Sequence, residues 1–380
     1  MKRVMILALV AVLAWPLPVR AAEQKVAGKS SLLMDVETGT VLLENNAHEP
    51  LAPASVTKIM TMLLIMEAVD SGRLAMTDMV SASETAAAKG GSQIYLKAGE
   101  TMAVSDMLKS IAVSSANDCA CAMAEHLAGS EEAFVARMNE RAAELGMKDT
   151  RFVNCTGLDD SPEAAEHRTS AYDIALMSRQ LLKNHPDIRQ FTTIWTDTVR
   201  DGTFGLSNTN KLIRFYQGAT GLKTGYTSGA GYCLSASAQR DGMELIAVVM
   251  GADTSASRNT ACKQLLDHGF ANYAVIRPEL PEPEPILVKL GRSDTVEAVP
   301  GEIPGILLDK GQKGLVQMEV SVEESVEAPV SKGQRLGTMT VKAGDQILQQ
   351  IPLVAAEGIE RLRYWELVGK VVRRAAMGKS

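Results

Sequence analysis

A serine and a lysine three residues apart, Ser55 and Lys58, are the side chains best placed in this sequence to do covalent chemistry. The run that follows, Ile59–Met66, is apolar on nearly every side and predicts a helix buried in a domain core. Residues three apart share one face of a helix, so the amine can reach the hydroxyl. A serine needs a nearby base to become a nucleophile, and a desolvated lysine can lose its proton near neutral pH. The pair therefore predicts a serine nucleophile with a lysine as its base.

The Ser-x-x-Lys spacing alone also fits a capped helix with a surface lysine. Two further patterns follow along the chain, Ser115-Ala116-Asn117 and Lys223-Thr224-Gly225. They add a second hydroxyl, an amide, a second cation, and a glycine that keeps a strand edge bare. The three patterns in this order are the signature of penicillin-binding proteins and serine β-lactamases, and the chain is similar to them in this respect.

More narrowly, the chain resembles the low-molecular-mass penicillin-binding proteins that are serine-type D-Ala-D-Ala carboxypeptidases. The further segments that carry this resemblance are Asn208–Leu212, Gly229–Tyr232 and Arg240–Ile246. The resemblance is close from about Ser30 to Phe270. Beyond Phe270 the chain resembles the family in the type of domain rather than in individual residues. It implies removal of the terminal D-alanine from peptidoglycan pentapeptide stems through an acyl-enzyme, with β-lactam antibiotics such as penicillin as acylating inhibitors.

The resemblance also implies an α/β (α+β) β-lactamase/transpeptidase-like catalytic domain, in which helices flank an antiparallel sheet and an all-helical subdomain is inserted. The sequence pattern agrees with this fold class. A hairpin is predicted at Ser31–Leu43, and another at Tyr232–Met250 around the turn signal Asp241-Gly242. A mostly helical stretch, Val80–His185, lies between them. The active site is expected in the groove between the sheet and the helical part.

The resemblance assigns a role to each matching residue. Ser55 attacks the carbonyl of the penultimate D-alanine, and Lys58, neutral in the resting site, takes its proton. Lys223 is a second cation that helps to depress the pKa of Lys58 by like-charge repulsion. Ser115 relays a proton to the leaving amine. Asn117 holds the substrate amide and hydrogen-bonds to Lys58.

The remaining roles concern the oxyanion and the carboxylate of the substrate. The backbone N–H of Tyr226 completes an oxyanion hole begun by that of the nucleophile. Thr224 and Lys223 bind the terminal carboxylate, and Arg258 is a further candidate for that role. Gly225 leaves the strand edge open, so that a substrate can pair with it.

Two departures separate the chain from β-lactamases. Its middle pattern is Ser-Ala-Asn rather than Ser-Asp-Asn, and the residues near Glu163 and Glu166 do not match the Glu-x-x-x-Asn loop that activates a deacylating water. These departures favour a peptidase that penicillin acylates and that releases the drug slowly. The alternatives that stay open are a β-lactamase or a D,D-endopeptidase of the same fold, and a peptidoglycan-binding scaffold without activity.

Composition excludes other classes of function. The 380 residues carry a net charge of -6, and aromatic residues make up only 4%, so the basic, aromatic-rich stripe typical of nucleic-acid binding is missing. The five cysteines lie in apolar surroundings and are expected to be buried free thiols, although export would allow a disulfide. The histidines are scattered without a zinc pattern, so we predict neither a metal nor a cofactor.

Residues 1–21 are typical of a secretory signal peptide. Lys2 and Arg3 precede the apolar segment Val4–Trp15, and Val19-Arg20-Ala21 offers small residues for cleavage. The apolar segment is short for a membrane span, although an uncleaved anchor is the alternative. We therefore expect an exported protein at the outer face of the cytoplasmic membrane.

The rest of the chain divides into three predicted segments, a carboxypeptidase domain at 22–278, an all-β domain at 279–355 and an amphipathic helix at 356–380. A stiff linker rich in proline and glutamate, Pro278–Pro285, separates the first two. Short alternating strands follow, such as Leu315–Val322 and Gly337–Val341, and they carry no catalytic cluster.

The last segment predicts a basic amphipathic helix from Tyr364 to Ala376. At about 100° per residue, its apolar and charged side chains fall on opposite faces. The apolar face contains Tyr364, Trp365, Leu367, Val368, Val371, Val372 and Ala375, and the charged face contains Glu366, Lys370, Arg373 and Arg374. Such a helix suits an anionic bilayer surface. Packing on the β-domain and binding of a partner protein are the alternatives.

Overall fold

The computed structural model describes residues 26–277, 285–303 and 305–377. The predicted signal peptide and most of the predicted linker lie outside these ranges. The strands of the N-terminal domain are, in chain order, β1 (Ser30–Asp35), β2 (Val41–Asn45), β3 (Met79–Ser81), β4 (Thr101–Ala103), β5 (Thr196–Val199), β6 (Phe204–Ser207), β7 (Ala219–Thr227), β8 (Gly231–Arg240) and β9 (Met243–Ala252).

Five of these strands form one antiparallel sheet in the order β2-β1-β9-β8-β7. The hairpin predicted at Asp241-Gly242 is present. Both turn residues have positive φ, 50° and 79°, which a two-residue turn between twisted strands favours. Because β7 lies at the end of the sheet, one of its edges carries no partner strand of that sheet.

The helices of the N-terminal domain lie mostly between β2 and β5, as the sequence predicts. They are α1 (Lys58–Asp70), α2 (Glu84–Ala87), α3 (Val104–Ser114), α4 (Asn117–Ala128), α5 (Glu131–Glu144), α6 (Ala171–Asn184), α7 (Arg189–Thr192), α8 (Leu212–Phe215) and α9 (Ser255–Asn272). Three short 3-10 helices occur at Ala54–Thr57, Pro162–Glu166 and Pro186–Ile188.

The position of α1 is set by its apolar surface. Ile59, Met60, Met62 and Leu63 are all inaccessible to solvent. Each buried side chain of this size stabilises the fold by about 1.5–3 kcal/mol relative to exposure. One face of the sheet packs against α1 and the helical subdomain, and α9 covers the opposite face. The start of α1 is therefore held rigidly between the sheet and the helices.

The C-terminal domain has its own apolar core and consists of strands. The strands are β10 (Tyr273–Ile276), β11 (Pro285–Lys289), β12 (Thr295–Pro300), β13 (Ile306–Asp309), β14 (Val316–Val322), β15 (Ser325–Glu327), β16 (Arg335–Ala343) and β17 (Gln346–Ala355). Six of them form a sheet in the order β14-β16-β17-β12-β11-β15, and a separate pair, β10 and β13, joins this domain to the end of α9. A 3-10 helix at Lys310–Leu315 precedes β14, and α10 (Tyr364–Met377) follows the domain.

Candidate active site

Ser55 lies in the 3-10 helix Ala54–Thr57, directly before α1. The sequence predicted it at the head of the α-helix itself. A 3-10 helix has about three residues per turn, so residues three apart still face each other. Lys58 Nζ is 3.0 Å from Ser55 Oγ. The two side chains are in hydrogen-bond contact, as general-base activation of a serine requires.

Lys58 is fully buried, and its amine also donates to the carbonyl oxygen of Thr156, 2.8 Å away. Burial lowers its pKa from 10.5 to about 7, although the carboxylate of Asp118 opposes this shift. The sequence analysis expected desolvation to lower this pKa and Lys223 to help. Burial is its largest cause, and repulsion between the two lysines is a cause of the lowered pKa of Lys223.

Ser115 ends α3 in a left-handed conformation, φ 64°, and Asn117 begins α4. Both side chains are buried, and Ser115 Oγ and Asn117 Oδ1 have no hydrogen-bond partner within the described part of the chain. Buried polar atoms without partners are rare, and a ligand or water commonly completes them. Asn117 Nδ2 donates to the carbonyl oxygen of Gly90, 2.7 Å away. The predicted bond between Asn117 and Lys58 is absent from the described hydrogen bonds, because Lys58 donates to Ser55 and Thr156 instead.

Gly225 brings β7 against the Ser55 turn. A Cβ atom at this position would lie 2.6 Å from the carbonyl oxygen of Pro53 and 3.1 Å from the backbone nitrogen of Ser55. Both contacts are with backbone, so a side chain here would push the strand and the turn apart. Glycine at 225 thus sets the spacing of the groove between β7 and the nucleophile candidate.

The other two residues of this pattern place a cation and a hydroxyl beside Gly225. Lys223 is buried, and its amine donates to the carbonyl oxygen of Thr224 at 3.0 Å. Burial, together with the charges of Lys58 and Arg258, keeps the pKa of Lys223 well below its usual value. Thr224 Oγ1 donates to Thr209 Oγ1 at 2.7 Å. An anion that binds here meets a pair of hydroxyls and a buried amine whose described hydrogen bond is to the Thr224 carbonyl.

Tyr226 continues β7, and its ring stacks on that of Tyr232 with centroids 4.3 Å apart. Arg258, on α9, is buried beneath Tyr232 and donates to the carbonyl oxygen of Cys233. It also donates to the side chains of Ser255 and Asn259. The guanidinium is close enough to act on the pKa of Lys223, but protein acceptors engage it, so its role in carboxylate binding stays a prediction.

Sequence reasoning missed the loop Val153–Leu158, which supplies the second acceptor of Lys58. Asn154 Oδ1 accepts from the backbone N–H groups of Thr156 and Gly157, and Gly157 has φ 80°. This Asx-type turn aims the Thr156 carbonyl at the amine. An asparagine followed three residues later by glycine signals such a turn, but nothing in the sequence signals that it reaches Lys58.

The five cysteines are buried free thiols, as predicted. Cys155 and Cys121 lie against the carboxylate of Glu131, which also pairs with Lys89.

Comparison with known proteins shows the family to which the chain is similar. Residues 18–254 match the family described as D-alanyl-D-alanine carboxypeptidase, and residues 282–361 match the penicillin-binding protein 5 C-terminal domain. The chain is 44% identical over 348 residues to the D-alanyl-D-alanine carboxypeptidase DacF of Bacillus subtilis, covering 90% of this chain and 88% of the relative. It is 34% identical over 370 residues to DacC of Escherichia coli, covering 92% and 90%.

Solved structures give the same result for the fold. Penicillin-binding protein 5 from Haemophilus influenzae superposes with a TM-score of 0.76 at 29% identity, covering 89% of this chain and 98% of that one. The ampicillin-bound penicillin-binding protein D2 from Listeria monocytogenes gives 0.59 at 32% identity, covering 65% and 99%. These findings confirm the predicted resemblance, fold class and enzyme activity. The chain belongs to the D-alanyl-D-alanine carboxypeptidase family, as a serine-type enzyme of the low-molecular-mass penicillin-binding proteins.

Proposed function

We propose that Ser55 is the nucleophile of this carboxypeptidase, and that the enzyme removes the terminal D-alanine from the pentapeptide stems of peptidoglycan. The observation that carries the proposal is the contact of 3.0 Å between Ser55 Oγ and the fully buried amine of Lys58. An amine with a pKa of about 7 is largely neutral just above neutral pH and can accept the hydroxyl proton.

Acylation then proceeds as a balanced transfer. The Ser55 hydroxyl gives its proton to Lys58 while Oγ bonds to the carbonyl carbon of the penultimate D-alanine. The backbone N–H groups of Ser55 and Tyr226 stabilise the oxyanion. The C–N bond breaks as the leaving amine takes a proton through the Ser115 hydroxyl, whose oxygen has no partner in the described residues. Water later attacks the acyl carbon and gives a proton to Lys58, which returns it to Oγ as the ester bond breaks. The shortened stem leaves as an acid that loses its remaining proton to solvent, so that it ends in a carboxylate.

Selection of a C-terminal residue follows from the charges beside β7. The substrate carboxylate is placed on the Thr224 hydroxyl and the Lys223 amine, with Arg258 behind them. A bound anion next to the buried Lys223 raises the pKa of its amine and favours its charged form, while Lys58 remains the neutral member of the pair. Asn117 exchanges its bond to Gly90 for a substrate amide. A peptide without a free terminal carboxylate would lose this recognition.

Hydrolysis of penicillin is the weaker candidate, because the loop that carries the deacylating carboxylate in β-lactamases has another arrangement here. Glu163 and Glu166 lie in the exposed 3-10 helix Pro162–Glu166, and Glu166 pairs with Arg151 at the surface. Neither carboxylate contacts the Ser55–Lys58 pair among the described hydrogen bonds. Slow release of a β-lactam acyl group is the expected consequence.

Steady-state assays separate these activities. We expect release of D-alanine from a peptide ending in D-Ala-D-Ala, and a stable adduct with one penicillin per chain that turns over slowly. The same peptide with an amidated C-terminus is the matched control and is expected to be a poor substrate. Rapid penicillin turnover without release of D-alanine would identify a β-lactamase, and release only from cross-linked dimers would identify an endopeptidase.

The proposal includes export and peripheral attachment to the outer face of the cytoplasmic membrane. The signal peptide that the sequence predicts at 1–21 supports export. No helix among the described residues is long and apolar enough to cross a bilayer. Attachment is supported by α10, whose charged side contacts the β-domain through Glu366–Arg292 and Lys370–Asp294 pairs. Its apolar residues Tyr364, Trp365, Val368 and Val372 are exposed.

Vesicle binding tests this attachment. Replacing both Val368 and Val372 with glutamate is expected to weaken binding of the full chain to phosphatidylglycerol vesicles at least about tenfold, since two apolar contacts with the bilayer are lost. Val320→Glu, on the exposed strand β14, is the matched control and should bind normally. Equal sedimentation of all three proteins would contradict the proposal.

A further inference from the structure

We infer that His167, acting through Thr57, is a positioning residue of the oxyanion hole, because a directed chain of hydrogen bonds from His167 fixes the peptide group that carries the Ser55 N–H. The inference rests on the proposed function, in which that N–H stabilises the oxyanion. Neither His167 nor Thr57 touches the reacting atoms. Their effect is on the direction and strength of one backbone donor.

The peptide group in question joins Ala54 to Ser55, and Ala54 has an unusual backbone conformation. Ala54 has φ 49°, in the left-handed region that alanine rarely adopts. A non-glycine residue is strained in this conformation and persists there only where its surroundings fix it. Because a peptide group is planar, holding the Ala54 carbonyl oxygen in place also fixes the Ser55 N–H, which points the opposite way.

The hydrogen bonds to that carbonyl have a defined direction. Thr57 Oγ1 donates to the Ala54 carbonyl oxygen at 2.8 Å, and His167 Nε2 lies 2.8 Å from Thr57 Oγ1. The other ring nitrogen, Nδ1, accepts from the backbone N–H of Val153 at 3.2 Å. A backbone N–H can only donate, so in the neutral ring the proton is on Nε2. The chain thus runs Val153 N–H to His167, His167 to Thr57, and Thr57 to Ala54.

Such a chain also strengthens the donor at its end. Each bond in a series polarises the next, and a peptide whose carbonyl accepts a strong bond has a more acidic N–H. His167 is buried, and burial together with the charge of Lys58 lowers its pKa to about 4. The ring therefore stays neutral at working pH, and the direction of the chain is maintained.

Two glycines confine the same peptide from both sides. A Cβ atom on Gly157 would lie 1.9 Å from the Ala54 carbonyl oxygen and 2.7 Å from Thr57 Oγ1. On the other side, a Cβ atom on Gly225 would lie 3.1 Å from the Ser55 nitrogen. The carbonyl end of the peptide thus lies against the loop that carries Thr156, and the nitrogen end faces β7.

Two variants of His167 separate the donor at Nε2 from the acceptor at Nδ1. His167→Gln can keep a donor near the position of Nε2, and His167→Asn can keep an acceptor near Nδ1. If the bond to Thr57 is what matters, His167→Gln should acylate nearly as fast as the wild type. His167→Asn should acylate about 10- to 100-fold more slowly, somewhat less than the loss from removing an oxyanion donor outright. A purely structural role, anchoring Val153, predicts the reverse order.

The direct readout is the infrared stretching band of the acyl carbonyl in the penicillin adduct. Weaker hydrogen bonds to that carbonyl move its band to higher frequency. We expect this shift in His167→Asn and Thr57→Val, and a wild-type band in His167→Gln and Thr57→Ser. Thr61→Val removes another buried hydroxyl of α1, which donates to the carbonyl oxygen of Cys155. It should lower the melting temperature without moving the band.

The outcomes distinguish this inference from the proposed function. If the wild type forms no acyl adduct at Ser55, the proposed function fails. If it does, and His167→Asn and Thr57→Val show the wild-type band and acylation rate, only the inference fails. Should one variant not fold, the pair at the other residue decides. A shift in Thr61→Val equal to that in Thr57→Val would also overturn the inference, since it would show a general effect of cavities near α1.

Discussion

Ser55→Ala is expected to abolish formation of an acyl-enzyme and to lower release of D-alanine at least about 10³-fold, because the variant lacks the hydroxyl on which the proposed covalent intermediate forms. The measurement is intact-mass spectrometry after brief exposure to penicillin, together with a D-alanine assay. The alanine should fold normally, since Ser55 is only half-buried and its hydroxyl contacts Lys58 alone among the described hydrogen bonds.

Ser321→Ala, on the exposed strand β14 of the second domain, is the matched control and should gain the full mass of one penicillin. An adduct of the same stoichiometry on Ser55→Ala would show that another nucleophile does the chemistry. The peptide-binding scaffold, the hypothesis without enzymatic activity, predicts no adduct even on the wild type.

Lys58→Arg is expected to reduce the acylation rate constant by about 10³-fold or more, which corresponds to about 4 kcal/mol of transition-state stabilisation. Arginine carries a permanent positive charge, because its guanidinium does not lose a proton in proteins, so it cannot act as the base. The measurement is the rate of acylation by a chromogenic β-lactam under single-turnover conditions, with the melting temperature as a control for folding.

A second variant separates the chemistry of Lys58 from its charge. In Lys58→Met, the methionine side chain has a similar length but carries neither a charge nor a basic group. If the lysine acts as a base, both variants should be inactive to a similar degree. Substantial activity of Lys58→Arg but not of Lys58→Met would mean that Lys58 acts through its positive charge. That result would contradict a neutral amine.

Local spacing explains why much of the site could be predicted. Ser55 and Lys58 face each other in an α-helix and in a 3-10 helix alike, so an error in the type of helix did not affect the predicted contact. The apolar run after Lys58 dictates burial, and burial in turn lowers the pKa of the amine. The Asp241-Gly242 turn is equally local, since it requires only two residues that tolerate positive φ.

Long-range contacts explain what the sequence could not predict. The second acceptor of Lys58, the Thr156 carbonyl, lies 98 positions along the chain. Asn117 was predicted to bond to Lys58, but Lys58 donates to Ser55 and Thr156, and the amide nitrogen of Asn117 donates to the carbonyl of Gly90 in a distant loop. The contact between His167 and Thr57 spans 110 positions. Such pairings depend on how the helical subdomain packs against α1, and no periodicity in the sequence encodes them.

The tail illustrates the same limit. The periodicity from Tyr364 to Ala376 predicts an amphipathic helix, and the helix is present at Tyr364–Met377. Periodicity leaves open which face meets the β-domain. In the structure Glu366 and Lys370 make that contact, and Trp365 remains exposed.

The pH dependence of acylation tests the central claim most directly, because that claim is a neutral lysine amine beside the serine. We predict that the rate constant for acylation by a β-lactam rises with pH and reaches a plateau with an apparent pKa of about 7, the value to which burial lowers Lys58. Stopped-flow measurement from about pH 5 to about pH 10 covers the transition. A rate that keeps rising towards the ordinary pKa of lysine, without a plateau near neutral pH, would contradict the account.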